Sequence, residues 1–191
     1  MRIYTDLKML VKSEKPVVLT IGNFDGVHLG HAFLIDRMRD VAKANNAEII
    51  VLTFANHPQE LLKPNKPIFK LTTEAEKCSL MENLGVDVLV VLEFTAQFAA
   101  LSVEDFFLYI SQHMHLSHLI LGSDAVLGRN RHGNAAKVMS IGTRMGFDVV
   151  YLKPLHIDGT YVSSTCIRSF IERGDFKAAE KLLGRKVAKS E

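Results

Sequence analysis

Five runs of apolar, largely β-branched residues punctuate the chain, at Val17–Ile21, 48–53, 86–92, 118–121 and Asp148–Leu152. Apolar on both alternating faces, they predict strands of a parallel sheet covered on both sides. Between them the apolar positions fall at helical spacing. Over residues 32–43, Phe33, Leu34, Met38 and Val41 share one side, while Asp36, Arg37, Arg39 and Lys43 take the other. Residues 73–84 open on a threonine and acids and stop at Gly85, the capping polarity of a helix. Residues 102–112 open Ser-Val-Glu-Asp, a serine cap with first-turn acids. The stretch 163–183 predicts two short helices parted by Gly174-Asp175, with Asp175 capping the second. Strand and helix in alternation imply right-handed crossovers, hence an α/β fold with a Rossmann-like, doubly wound parallel sheet and helices on both faces.

Two stretches break the period. Residues 56–71 hold Pro58, Pro64 and Pro67 and predict a loop that forms a flap beside the sheet. Residues 123–134, rich in Gly, Asn and Arg, predict a second loop directly after a strand. The length, 191 residues, suits one domain, and 48% hydrophobic with 23% charged residues fits an ordinary globular core. With 23 basic and 21 acidic side chains the net charge is +2, which gives no general pull toward nucleic acid. Cys78 and Cys166 are too few for a disulfide framework and fit a reducing compartment. The N-terminus lacks the apolar core of a signal peptide, and no apolar run is long enough for a bilayer. A cytoplasmic location, with no membrane partner, is the expectation.

The chemistry concentrates in Gly22-Asn23-Phe24-Asp25-Gly26-Val27-His28-Leu29-Gly30-His31, which leaves the first apolar run and enters the first long helix. In an open parallel sheet, ligands sit beyond the carboxyl ends of the strands. Gly22 and Gly26 let the backbone turn tightly, and the following helix start offers N–H groups and a positive dipole end to phosphate. His28 and His31 are three apart and fall on one side of that helix start, with both imidazoles expected at the surface. The bland readings are polar surface histidines or a metal pair. Neither a carboxylate nor a cysteine stands at a ligand offset on that face, so no metal site is expected there and phosphate binding is preferred. Asn23 and Asp25 are candidates to fix the loop or position magnesium, Asp25 being equally a turn residue, and Phe24 reads as loop packing. Ser163, Ser164 and Thr165 read as a helix cap and second anion site, with Arg168 one turn later on the same side. His113, His115 and His118 read as a helix end and strand entry.

Taken in order, these motifs resemble a known family. The HxGH element is similar to the nucleotidyltransferase signature, and the set as a whole to bacterial FAD synthetases. Residues 53–58, Thr-Phe-Ala-Asn-His-Pro, resemble that family's TFxxHP. Residues 122–134 resemble its GxDFxFGxxRxG loop, with Ala125 and Leu127 where the family usually has aromatic residues. Residues 162–168 resemble its SSTxIR, with Cys166 where Arg is common, and 182–185 its LLGR. The resemblance implies a nucleotidyltransferase domain over residues 1–185. Residues 186–191 form a tail where a riboflavin kinase domain usually begins, and no kinase activity is expected of this chain. It implies that AMP passes from ATP to FMN, giving FAD and pyrophosphate, with Mg²⁺ as an aid.

By the same resemblance, His28, His31 and Arg168 are expected to carry catalysis, the histidines on the ATP phosphates and the arginine on the departing pyrophosphate. ATP contacts are expected at Gly22, Asn23, Phe24, Asp25, Gly30, Asp124, Ser163, Ser164 and Thr165. Flavin contacts are expected at His57, Pro58, Leu127 and Arg131, with Arg129 a lesser candidate. Partners are then small molecules alone. Alternative readings are another transferase of the superfamily, or a flavin- or nucleotide-binding module without turnover, the latter favoured by Ala125 and Leu127.

Overall fold

The computed structural model describes residues 1–10, 14–62, 65, 68–129 and 133–187. Its centre is a six-stranded parallel sheet in the order β1-β4-β3-β2-β5-β6. The strands are β1 (Arg2–Tyr4), β2 (Val17–Ile21), β3 (Glu48–Phe54), β4 (Val88–Leu92), β5 (Leu116–Gly122) and β6 (Asp148–Leu152). Neighbours Val18 and Leu19 of β2 go to opposite faces, and both are fully buried. Burying each is worth about 2 kcal/mol, which is why this strand carries no polar alternation.

The helices are α1 (Leu29–Asn45), α2 (Pro58–Leu62), α3 (Glu74–Asn83), α4 (Ala96–Ala99), α5 (Val103–His113), α6 (Ala135–Met145), α7 (Ser164–Glu172) and α8 (Phe176–Leu183). One face of the sheet packs on α5 and α6 through Phe106, Phe107, Ile110, Val138 and Ile141. The other packs on α1 and α3 through Ile35, Met38 and Met81. A smaller cluster joins α7 to α8 through Ile167, Ala179, Leu182 and Leu183 and seats them on Leu29 and Leu71. The doubly wound architecture expected from the alternation is the one observed.

Several elements differ from the sequence reading. β1 spans three residues and pairs with β4, too short to register as a period. α6 lies just beyond the second expected loop, capped by Asn134, whose side chain accepts from the Lys137 N–H at 3.0 Å. The flap holds α2, a short helix with Pro58 at its first position, where a missing N–H is harmless. α1 starts at Leu29 rather than at residue 32, so the HxGH residues themselves build its first turn. Residues Asp158-Gly159 turn a small hairpin of β7 (His156–Ile157) and β8 (Thr160–Tyr161) ahead of α7.

From β2 the chain winds to β3 and β4 on one side, while β5 and β6 lie on the other. The winding therefore reverses between β2 and β5, and a crevice opens beyond their carboxyl ends.

Candidate active site

The loop after β2 is short and strained. Phe24 and Val27 have φ of 50° and 35° without being glycines, and Gly26 lies at 82°. A left-handed β-branched residue is an outlier that persists only when its surroundings over-determine it. Here they do. The Asn23 carbonyl accepts from Thr53 Oγ1 at 3.0 Å and from Lys77 Nζ at 3.0 Å. The Phe24 carbonyl accepts from the Val27 N–H at 3.2 Å. Ser164 Oγ donates to the Asp25 carbonyl at 2.8 Å, the Gly26 N–H donates to Thr72 Oγ1 at 3.1 Å, and Arg185 Nη1 donates to the Val27 carbonyl at 3.3 Å. Apart from the Phe24–Val27 turn bond, the ties come from other parts of the chain, so the loop is fixed by the tertiary fold.

Asp25 is the hub of this arrangement. Its carboxylate, 5% exposed, accepts from the Leu71 N–H at 2.9 Å, from the Thr72 N–H at 3.3 Å and from Arg168 Nη2. Arg168 Nε donates in turn to the Phe69 carbonyl at 2.6 Å. The loop, the far end of the flap and α7 thus meet on one buried ion pair.

His28 and His31 stack with ring centroids 3.6 Å apart and planes 15° from parallel. The expectation that both are surface-facing fails for His28, which is only 5% exposed, its ring stacked on His31 and lying against Gly30. Burial drives its pKa down to about 4, Asp25 opposes this, and Arg185 and Arg168 add to it. Burial also holds His31 well below its ordinary range, and the His28, Lys77 and Arg185 charges push the same way. The His28 N–H donates to His31 Nδ1 at 3.3 Å. In the neutral ring an accepting Nδ1 leaves the proton on Nε2, so His31 presents a neutral donor.

The crevice holds a cavity of about 230 Å³ lined by His28, Gly30, His31, Asp124, Tyr161 and the start of α7, among others. Two helix N-termini, α1 and α7, converge on it. The side chains that begin α7 divide their work. Ser163 Oγ accepts from the Cys166 N–H at 3.2 Å as the cap, and Ser164 is spent on Asp25, while Thr165 stays exposed at the cavity wall. Lys153, Pro154 and Leu155 line the side beyond β6. Burial, and then the Asp124 carboxylate hydrogen-bonded to it, push the Tyr161 phenol up.

Of the sequence-expected residues, the cavity gathers His28, Gly30, His31, Asp124, Ser163, Ser164 and Thr165. Asn23, Phe24, Asp25 and Arg168 lie behind it as loop and support, and Gly22 N–H continues the ladder to the Leu52 carbonyl at 3.1 Å. His57 and Pro58 stand at the start of α2, where His57 Nδ1 accepts from the Gln59 N–H at 3.1 Å. Burial and then the Arg168 charge lower the His57 pKa. Leu127 pairs with Gly133 in a small bridge and packs against the larger core face. Arg131 lies outside the described residues. Lys77, Tyr161 and Lys153 went unread in the sequence, and Arg185 was given no role there. Lys77 sits on α3, where no motif falls, and Arg185 ends the LLGR match. Among the described residues, no three His, Cys, Asp or Glu side chains group closely enough to hold a metal ion. Nor is any described helix long and apolar enough to cross a membrane.

The chain matches the family described as FAD synthetase over residues 10–166. It is 33% identical to the FAD synthetase of Listeria monocytogenes over 91% of this chain and 70% of that protein. It is 31% identical to the bifunctional riboflavin kinase/FMN adenylyltransferase of Buchnera aphidicola, over 97% of this chain and 59% of the relative. The counterpart in Escherichia coli K12 is 33% identical over 90% of this chain and 55% of its own length. The chain thus spans little more than half the length of these bifunctional relatives. A crystal structure described as a macrolide-efflux protein from Streptococcus pneumoniae superposes with a TM-score of 0.84 at 27% identity, covering 97% of this chain and 60% of that one.

Proposed function

The chain belongs to the FAD synthetase family, and from that premise we propose that it transfers the adenylyl group of ATP to FMN, giving FAD and pyrophosphate. The observation that carries this reading is the convergence of the α1 and α7 starts with His28 and His31 on one cavity at the sheet's reversal point. That arrangement offers backbone donors and neutral imidazole donors to a polyphosphate, and the reaction asks for no covalent nucleophile from the protein.

The reaction asks for little else. A phosphate oxygen of FMN attacks the α-phosphorus of ATP, a P–O bond forms there, and the bond to the β-phosphate oxygen breaks as pyrophosphate leaves. The attacking oxygen is already anionic, so alignment and charge stabilisation dominate. His31 Nε2–H and the first N–H groups of α1 and α7 are assigned to the α- and β-phosphates. Asp124 is assigned to the nucleoside side of the cavity. Magnesium would arrive with ATP as part of the substrate and would offset the charge of its phosphates. Arg168 lends positive charge from behind, its Nε and Nη2 being engaged with Phe69 and Asp25. His57, Pro58 and Leu127 are assigned to the acceptor side, with work in the cytoplasm, where ATP is at hand.

The test is chromatographic: purified protein with FMN and magnesium-ATP, and riboflavin replacing FMN in a parallel tube. FAD and pyrophosphate should appear with FMN alone. ATP binding without FAD formation would refute the acceptor and point to the chain as a binding module or a transferase for another phosphate.

A further inference from the structure

Lys77 lies on α3, 7% exposed, and has no part in the mechanism above. Its Nζ donates to the Asn23 carbonyl at 3.0 Å, the Phe54 carbonyl at 3.1 Å and Thr53 Oγ1 at 3.4 Å. All three partners are uncharged oxygens. A buried ammonium so placed carries a desolvation cost that an apolar side chain of the same length would avoid. Helix formation does not require it. Thr73 and Glu76 already close a capping box at the start of α3, with Glu76 Oε2 accepting from the Thr73 N–H at 2.7 Å and Thr73 Oγ1 from the Glu76 N–H at 3.2 Å.

Its place in the sheet explains the cation. The β2–β3 ladder ends where the Gly22 N–H meets the Leu52 carbonyl at 3.1 Å. The register of the two strands ends at the Ile21–Leu52 pair, and just past it the Asn23 and Phe54 carbonyls both accept from one ammonium. The Lys77 ammonium gathers both, joining the root of the strained loop to the end of β3. Phe24, next to Asn23, lays its ring on His31 with centroids 4.8 Å apart.

We propose that Lys77 is a positioning residue for nucleotidyl transfer: by holding the Asn23 and Phe54 carbonyls together it fixes the loop against which His31 is aligned. The proposal rests on the adenylyltransferase reading for the reaction, and on the geometry for the rest. Electrostatics agree. Lys77 follows burial and His28 among the influences that hold His31 low, and Arg185 adds to them. Lys77 itself is pushed down by burial and by Lys70, while Asp25, Glu74 and Cys78 favour its charge.

The test compares Lys77→Met, Lys77→Gln and Lys77→Arg in the full chain. Each is read by thermal melting, by kcat and KM for magnesium-ATP in FAD formation, and by NMR titration of the His31 imidazole. Lys77→Met should fold and lose kcat on the order of 100-fold, the scale expected of a displaced catalytic group. KM should stay within about threefold, since ground-state contacts survive. His31 should titrate at higher pH, and Lys77→Arg should restore most of kcat. If Lys77→Met does not fold, Lys77→Gln carries the same comparison, and failure of both to fold assigns Lys77 to stability and overturns the proposal. Wild-type kcat with an unmoved His31 in Lys77→Met or Lys77→Gln also overturns it. A wild type that makes no FAD sinks the functional reading instead, and the His31 titration still decides the role of Lys77.

Discussion

Arg168 closes on the carboxylate of Asp25 from 143 residues away in sequence, and both side chains are nearly buried, 12% and 6% exposed. Read from motifs alone, this arginine grips a leaving group. In the fold it also locks three segments together. Those two roles separate under mutation.

Arg168→Ala should lower stability by about 3–5 kcal/mol, the cost of stranding a buried partner charge, and should cut turnover as well. An arginine acting on pyrophosphate alone would leave melting unchanged. Chemical denaturation beside the FAD assay separates the cases.

Removing the imidazoles tests the centre of the site. His31→Ala should cost on the order of 10²–10³ in kcat, the scale of one lost donor to developing charge, with a smaller change in melting than His28→Ala, since His31 is less buried. His28→Ala should lose activity too, but with some stability, because its ring is buried. Wild-type rates in both would remove these residues from the mechanism.

The buried His28 makes the fold sensitive to acid. Its pKa falls from 6.5 unfolded to about 4 folded, so the unfolded chain binds the extra proton between those values. Stability is then complete above pH 6.5 and declines as pH falls toward 4, by on the order of 3 kcal/mol. Melting curves from pH 8 to 5 should show this slope, and His28→Gln should lessen it, the remainder coming from His31 and His57, which are lowered in the same direction.

Gly26 is the loop's least replaceable residue. At φ 82° a side chain is strained, and an added Cβ would come within 2.9 Å of Leu71 Cδ1. Gly26→Ala should destabilise by roughly 1–3 kcal/mol and displace the Asp25 hub, which melting and turnover together would reveal.

The sheet was legible in the sequence because strands such as Val17–Ile21 are buried on both faces, and burial leaves an apolar run. β1 was hidden by its three residues, and α6 by its closeness to a loop rich in polar residues. The cavity residues His28, His31 and Thr165 could be read because they stand beside glycines and caps, whose local geometry has a signature. Lys77 and Tyr161 could not, because each reaches the site through tertiary packing that no spacing in the chain records; Arg185 fell within the LLGR match, but its bond to Val27 is likewise made only by the fold. Asp25 illustrates the boundary: as a turn residue it was foreseeable, but its bonds to Leu71, Thr72 and Arg168 depend on segments that meet only in the fold.

The bond from Arg185 to the Val27 carbonyl sets an order of events in time. As the polypeptide emerges from the ribosome, residue 152 completes all six strands, and the sheet has everything it needs to pair. The loop at residues 22–27 must wait for Ser164, Arg168 and finally Arg185 before its last ties can close. Synthesis therefore delivers the scaffold first and the working geometry last. A nascent chain halted before residue 185 would hold the sheet while its histidines still lacked their final support.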